Sequence, residues 1–390
     1  MSLVFKRGYV LGHGIADVLI ENGTIQAIGD NLDGKRAINA SGKLIVPGFV
    51  DTHRHMAQAP LRGLGPDMPL GYYLERVVQH IGASMTVLDV RNSLKLAAAE
   101  AMNAGVTTVL DWSAVSAPDQ VDAAIEVLGQ TGLRVVFGHS NPDDMRPEAD
   151  AVASLGPDYL PVDVVARHIG LARERGLITS MHVGGQHGGG VRKLHDAGLL
   201  GPDVHFVHGN RLEDDEFKML VDYGCTLTVT PVTELLMGHG DLAYRRFAEA
   251  GGQPALGVDV EIGNVPDMFS EMRAGLMAER ARGTLEAREM LKAATINGAK
   301  AIGLGDAIGS LEAGKRADIV LLTGLEHLFG EDPAVIEGAV VTSVGTEDVH
   351  TVLIDGTVVK LDGVLVDHDL RELRELTLRI ARRTLAAAAG

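Results

Sequence analysis

"VPGFVDTHRH", residues 46–55, ends an apolar run on two histidines one residue apart. A β-strand turns alternate side chains to one face, so His53 and His55 project together from the polar end of a buried strand. Paired imidazoles held that way suit a divalent metal such as zinc or iron. A pair of hydrogen-bonded surface histidines would give the same letters. The rest of the chain decides between them, by repeating or not repeating an apolar strand that ends on a ligand-capable side chain.

From about residue 46 to 305 it repeats. The candidate strands are LIVPGFVDTH, GVTTVLDW, LRVVFGH, ADAVASLG, LITSMHV, VHFVHG, TLTVTP and PALGVDV. Helical patterns such as LKLAAAEAMNAG, VDVVARHIGLARERG and AREMLKAATINGAKAIGL fall between or after them. Eight apolar strands alternating with helices are the signature of an α/β fold of the (β/α)8 TIM-barrel type, assigned to residues 47–307. A doubly wound sheet shares the alternation. The segment 56–104 after the first strand is long enough to carry a lid or specificity loop.

The ends of the chain read differently. ADVLIENG and TIQAIGD are alternating runs joined at Asn22-Gly23, a strong hairpin dipeptide. The same texture returns in KRADIVLLTG, HTVLIDG and TVVKLDGVLV. Residues 1–46 and 308–366 are therefore expected to build one small β-sandwich domain from both termini. Residues 367–390 form a charged amphipathic helix, packed on the body or on a partner subunit.

The 390 residues, 46% hydrophobic and 22% charged, describe a globular chain with a large core. A net charge of -17 argues against a nucleic-acid backbone as partner. The single cysteine, Cys225, can form no internal disulfide and excludes a cysteine-based zinc site. With no signal-like start and no membrane-length apolar run, the expectation is a cytoplasmic protein with a small-molecule substrate, no membrane partner, and homo-oligomerisation left open.

Barrel enzymes place their chemistry at the C-terminal ends of the strands. Those ends carry His53 and His55, Asp111, His139, a Gly-Pro-Asp turn, His182, His208, Thr230 and Asp259. Singly, each is a capped strand end. Jointly, His53, His55, His182, His208 and Asp259 point to a metal site.

With these residues in view, the chain resembles the amidohydrolase superfamily, in its cytosine deaminase and triazine/guanine deaminase branch. The resembling pieces are PGFVDTHRHM, LRGLGPDMPL, AGVTTVLDW, MHVGG, VHGNRL, LGVDVEIGN and ATINGAKAIGLGDAIGSLEAGKRADIVLL. The resemblance implies one divalent metal, zinc ahead of iron or manganese, on His53, His55, His182 and Asp259. It implies a catalytic pair, Asp259 as general base and acid and His208 beside the attacking water. His205, three residues before His208, should face away and be structural. His139 and His187 are candidates for the pocket lining. Binuclear relatives bridge two metals with a carboxylated lysine after strand four. No lysine occurs between Lys95 and Lys193, so the mononuclear subtype is expected.

The chain departs from the pattern at one position. Deaminases of this branch carry His-x-x-Glu after strand five, and the glutamate protonates the ring nitrogen. Here the stretch is His182-Val183-Gly184-Gly185. Glu234 and Glu261 are the carboxylates that could reach the substrate instead. The function expected is a metal-dependent hydrolase using activated water to attack an sp2 carbon of a small, cyclic, nitrogen-containing compound, with loss of ammonia, an amine or another group. A lyase or decarboxylase reusing the metal, or a silent binding relative, are the alternatives.

Overall fold

The computed structural model describes residues 2–78, 85–185 and 187–388. The eight apolar runs form one parallel sheet in sequence order. Its strands are Phe49–Arg54, Val106–Trp112, Arg134–His139, Ala151–Ser154, Ile178–Val183, Val204–His208, Thr226–Val229 and Ala255–Leu256. They are called here barrel strands one to eight. Strand eight is short, and the ring closes beyond it, where Asp259 bridges Arg54 in parallel register. His55 donates its backbone N–H to the Asp259 carbonyl at 3.0 Å, and Asp259 donates to the His53 carbonyl at 2.8 Å. The seam of the barrel is thus tied by the residues that carry the candidate ligands.

The run LIVPGFVDTH, read as one strand, is two. Leu44–Pro47 pairs antiparallel with Ile319–Leu322, while Phe49–Arg54 opens the barrel. Pro47 has no N–H to continue a ladder. Gly48 then passes so close to strand two that a Cβ would stand 2.2 Å from the Thr107 hydroxyl oxygen.

Inside the barrel, Val50, Leu110, Trp112, Val136, Ala151 and Ala153 meet Ala299, Ile302 and Ile308 from the segment that plugs its far end. The alternate residues, among them Val109, Phe137, Met181, Phe206 and Leu227, join the larger cluster under the helices. This alternation gives the near-continuous apolar runs seen in the sequence, because both faces of a parallel sheet are covered.

The two ends of the chain make one nine-stranded sheet, mostly antiparallel, in which N-terminal and C-terminal strands meet at the Leu44–Pro47 and Ile319–Leu322 pair. Three of its hairpins turn on Asn22-Gly23, Asp355-Gly356 and Asp362-Gly363, each pair with positive φ, as two-residue turns of this hand require. Phe5, Val18, Ile25, Ile45, Ile319, Leu321 and Leu353 give it a core of its own.

Between strands one and two the chain forms a 3-10 turn at Met56–Leu61, short helical pieces at Leu70–Tyr73 and Leu74–Val78, and a long helix at Val87–Asn103. Residues 79–84, the rest of the expected lid segment, lie outside the described residues. The C-terminal helix Leu370–Ala388 packs on the body of the same chain, with Arg374 on Glu100 and Arg383 on Asp89 of the Val87–Asn103 helix. No helix among the described residues is long and apolar enough to cross a membrane.

Candidate metal and active site

At the C-terminal mouth of the barrel, four imidazoles and one carboxylate converge. The His53 ring lies 4.9 Å from His55, 4.9 Å from His182 and 5.9 Å from His208, centroid to centroid. Asp259 Oδ1 stands 3.3 Å from His53 Nε2 and 3.4 Å from His55 Nε2. His208 Nε2 is 4.0 Å from Asp259 Oδ2. Ligand atoms of His53, His182 and His208 lie within 4.8 Å of one another, as do those of His53, His55 and Asp259. The two groups share His53.

The donor set fits a divalent cation. His53 is fully buried, and neither ring nitrogen has a well-formed hydrogen bond among the described residues, Nε2 only facing Asp259 Oδ1 at 3.3 Å. Buried polar atoms left that way cost about 1–3 kcal/mol each unless a partner is supplied. Imidazole nitrogens and a carboxylate oxygen converging on one point are what zinc ligation requires. The protonation states agree. Burial holds His53 and His182 below the usual histidine value and pushes His55 down to about 4, so these rings are neutral and offer lone pairs. Burial alone would raise Asp259, but the facing His53, His208 and His55 outweigh it and hold the carboxyl well below its usual range.

Local backbone irregularity makes the convergence possible. Between Asp51 and Arg54 strand one spends three steps where strand two spends two, a bulge that re-aims the side chains after Thr52. His208 and Asp259 both have positive φ, 81° and 66°, in the left-handed region that non-glycine residues rarely enter. The surrounding contacts hold the rings. His55 Nδ1–H donates to the Trp112 carbonyl at 2.8 Å, which leaves Nε2 toward Asp259. His208 Nδ1–H donates to Glu234 Oε1 at 3.2 Å. Glu234 is itself fixed by the Thr230 N–H at 2.8 Å and the Asn210 amide at 2.8 Å. Burial works against the His208 cation, yet Glu234 and Asp259 together raise its pKa.

Several expected residues lie elsewhere or are already committed. His139 belongs to the set of strand three that alternates with inward Val136; it accepts from the Asn141 N–H at 3.1 Å and its ring lies against Phe137. His187 is exposed. Glu234 is buried and hydrogen-bonded to His208. Glu261 is fully buried against the equally buried Arg54 guanidinium, with Oε1 3.0 Å from Nε. His205 does not face outward. It sits within the barrel between Ser180 (2.9 Å) and Thr228 (2.8 Å), because the positive φ at His208 breaks the two-residue period between them. Asp111 caps the turn after His55 by accepting from the Met56 N–H at 3.0 Å, and burial raises it to about 7.

Three residues at the mouth escaped the sequence. Trp112 packs its ring on His55 and His182, at 5.3 and 4.9 Å. Tyr159 brings its hydroxyl within 3.8 Å of where a Cβ on Gly185 would stand. His239 lies 5.0 Å from His208, edge to face, and burial beside that ring pushes it down to about 4. A lone histidine in MGHG has no periodicity to announce it. The Gly-His-Gly triplet, a turn that must carry a polar ring, was the one available signal.

A parallel barrel with imidazoles and a carboxylate at its mouth defines a metal-dependent hydrolase. The chain belongs to the Amidohydrolase family, whose model matches residues 44–175 and 164–359. It is an amidohydrolase-type enzyme. It is 30% identical to the 5-methylthioadenosine/S-adenosylhomocysteine deaminase of Natronomonas pharaonis, over 79% of this chain and 80% of that one. Its fold matches a zinc-bound adenosine deaminase from Xanthomonas campestris with a TM-score of 0.85, at 23% identity, covering 99% and 98% of the two chains. It also matches the atrazine chlorohydrolase of Arthrobacter aurescens in complex with zinc, with a TM-score of 0.85 at 20% identity, covering 97% and 100%.

Proposed function

We propose that this chain is a mononuclear zinc hydrolase that displaces ammonia or another leaving group from an sp2 carbon of a small nitrogen-containing ring. His53, His55, His182 and Asp259 are the ligands. The observation that carries the reading is the fully buried His53, whose ring has no well-formed hydrogen bond among the described residues and whose Nε2 faces Asp259 at 3.3 Å. A divalent ion held there supplies Lewis acidity and lowers the pKa of water from about 15.7 to roughly 7.

The chain's own groups supply the rest. Asp259, ionised by its imidazole neighbours, accepts a proton from the attacking water and returns it to the departing nitrogen, so that water adds across the bond and ammonia leaves. His208, oriented by Glu234, donates to the oxygen on which charge develops. The absence of lysine between Lys95 and Lys193 supports one metal rather than two. Strand four ends on Ser154, which is bonded to His168 at 3.0 Å. The buried, unpaired Cys225 is in keeping with a reducing, cytoplasmic setting.

Substrate choice turns on Gly185. With Glu234 on His208 and Glu261 on Arg54, neither carboxylate expected to replace the missing acid is available to protonate a ring nitrogen. A substrate with a good leaving group or its own acidic proton fits this site better than an unactivated aminopurine. The test is elemental analysis of protein purified without chelator, followed by an ammonia-release panel of cytosine, guanine, adenosine and 5-methylthioadenosine. One zinc per chain is expected, with weak turnover of all four. Two required metals would overturn the mononuclear site. A kcat/KM above about 10⁴ M⁻¹s⁻¹ on any of the four, the lower end of ordinary enzymes, would overturn the claim about the missing acid.

A further inference from the structure

His239 is 2% exposed, and neither Nδ1 nor Nε2 has a hydrogen-bond partner among the described residues. A neutral imidazole carries one N–H donor and one lone pair, so both capacities are unused. Leaving them so in a buried place is unfavourable by about 1–3 kcal/mol. A phenyl ring would fill the same space without that cost.

The local chain is built to hold the ring there. The helix Pro231–Met237 starts at Thr230, and its Glu234 reaches back to His208. Gly238, at φ 69°, ends the helix in the left-handed region, and Gly240 follows at φ 118°. Between these two glycines the His239 N–H bonds the Glu234 carbonyl at 2.9 Å. One short segment thus supplies the carboxylate on His208 Nδ1 and a second imidazole nearly perpendicular to the His208 ring, 5.0 Å away.

We propose that His239 is a substrate-binding and specificity-determining residue, hydrogen-bonding a heteroatom of the ring next to the carbon that His208 and Asp259 attend. The ligand class is a planar heterocycle with a carbonyl oxygen or ring nitrogen beside its reacting carbon. This rests on the hydrolase reading above, and the test keeps the two apart.

The variants are His239→Phe, which keeps shape and loses both polar atoms, and His239→Gln, which keeps a donor and an acceptor. Thermal unfolding and zinc content are measured for both in the zinc-loaded enzyme, and steady-state kinetics on whichever member of the four-compound ammonia-release panel the wild type turns over fastest. His239→Phe is expected to keep its zinc and to melt at or above the wild-type temperature. Its KM should rise about tenfold or more, the worth of one hydrogen bond to a ligand, with a smaller change in kcat and partial recovery in His239→Gln. A melting temperature clearly below wild type would make His239 structural and overturn the proposal, whether or not any panel member is turned over. An unchanged KM would overturn it too. Failure of the wild type to bind zinc or to turn over any compound would count against the hydrolase reading, while the melting comparison still decides His239.

Discussion

What the second nitrogen of a histidine touches tunes its basicity, whether the ring binds a metal or stabilises charge. His55 spends Nδ1 on a backbone carbonyl, whereas His208 spends it on a carboxylate. The second arrangement favours the imidazolium and makes His208 the better donor to developing negative charge. His208→Ala should therefore keep its zinc while kcat falls by about 10²–10³, as for one lost oxyanion donor. Glu234→Gln should lower kcat in the same direction by less, since an amide oxygen can still accept from Nδ1. Loss of zinc in His208→Ala would reassign it as a ligand. Gly185 offers the complementary experiment. A Cβ there would meet Leu70 at 3.7 Å and the Tyr159 hydroxyl at 3.8 Å, both ordinary contacts. Gly185→Glu should fold and raise ammonia release from cytosine or 5-methylthioadenosine, by up to about 10²–10⁴, the usual worth of a placed general acid. No gain in a variant that retains zinc would show that the limiting step lies elsewhere.

Elements, rather than single residues, set the distances at the mouth. Strand five delivers His182, and the turn after strand four runs directly against it. Gly156, at φ 88°, lies so near that a Cβ would stand 2.2 Å from the His182 carbonyl oxygen. Gly156→Ala adds backbone strain as well as that clash. The expected result is displacement of strand five and a zinc affinity lowered about 10–100-fold, the range for supporting residues of a metal site, with the barrel still folded by circular dichroism. Wild-type zinc affinity in that variant would mean that the turn yields and the strand does not. The strand-one bulge works by the same logic. It lets the pair His53 and His55 leave the sheet together, and the buried Arg54 stays behind to pair with Glu261.

Across the whole molecule, the terminal sheet and the barrel are held by contacts between distant parts of the chain. Lys360, on Thr357–Leu361 of the sheet, donates to the Asn103 carbonyl at the end of the Val87–Asn103 helix at 2.7 Å. Burial pushes this ammonium down to about 8 from 10.5. The unfolded chain thus holds more protons than the folded one between those values, and stability from this group rises with pH across that window. Below it the full cost of burying the charge is present. Lys360→Met should be more resistant to urea than wild type at pH 7 relative to its standing at pH 10.5. A urea-midpoint difference that stays constant between pH 7 and 10.5 would refute the assignment.

The sequence by itself determined the period of the barrel, the two-ended sheet and the glycine turns, because strand alternation and positive-φ dipeptides are local properties. It also singled out the five side chains that meet at the mouth, since each ends an apolar run. Tertiary structure alone decided which neighbouring side chains reach them. The period of two fails at the strand-one bulge and at the left-handed His208 and Asp259, so counting residues put His205 outside the barrel. The partners of Glu234 and Glu261 come from other strands, His208 at 26 residues' separation and Arg54 at 207, and no local pattern encodes such pairings. His239 became visible for the same reason: its burial against His208 exists only once the barrel has closed.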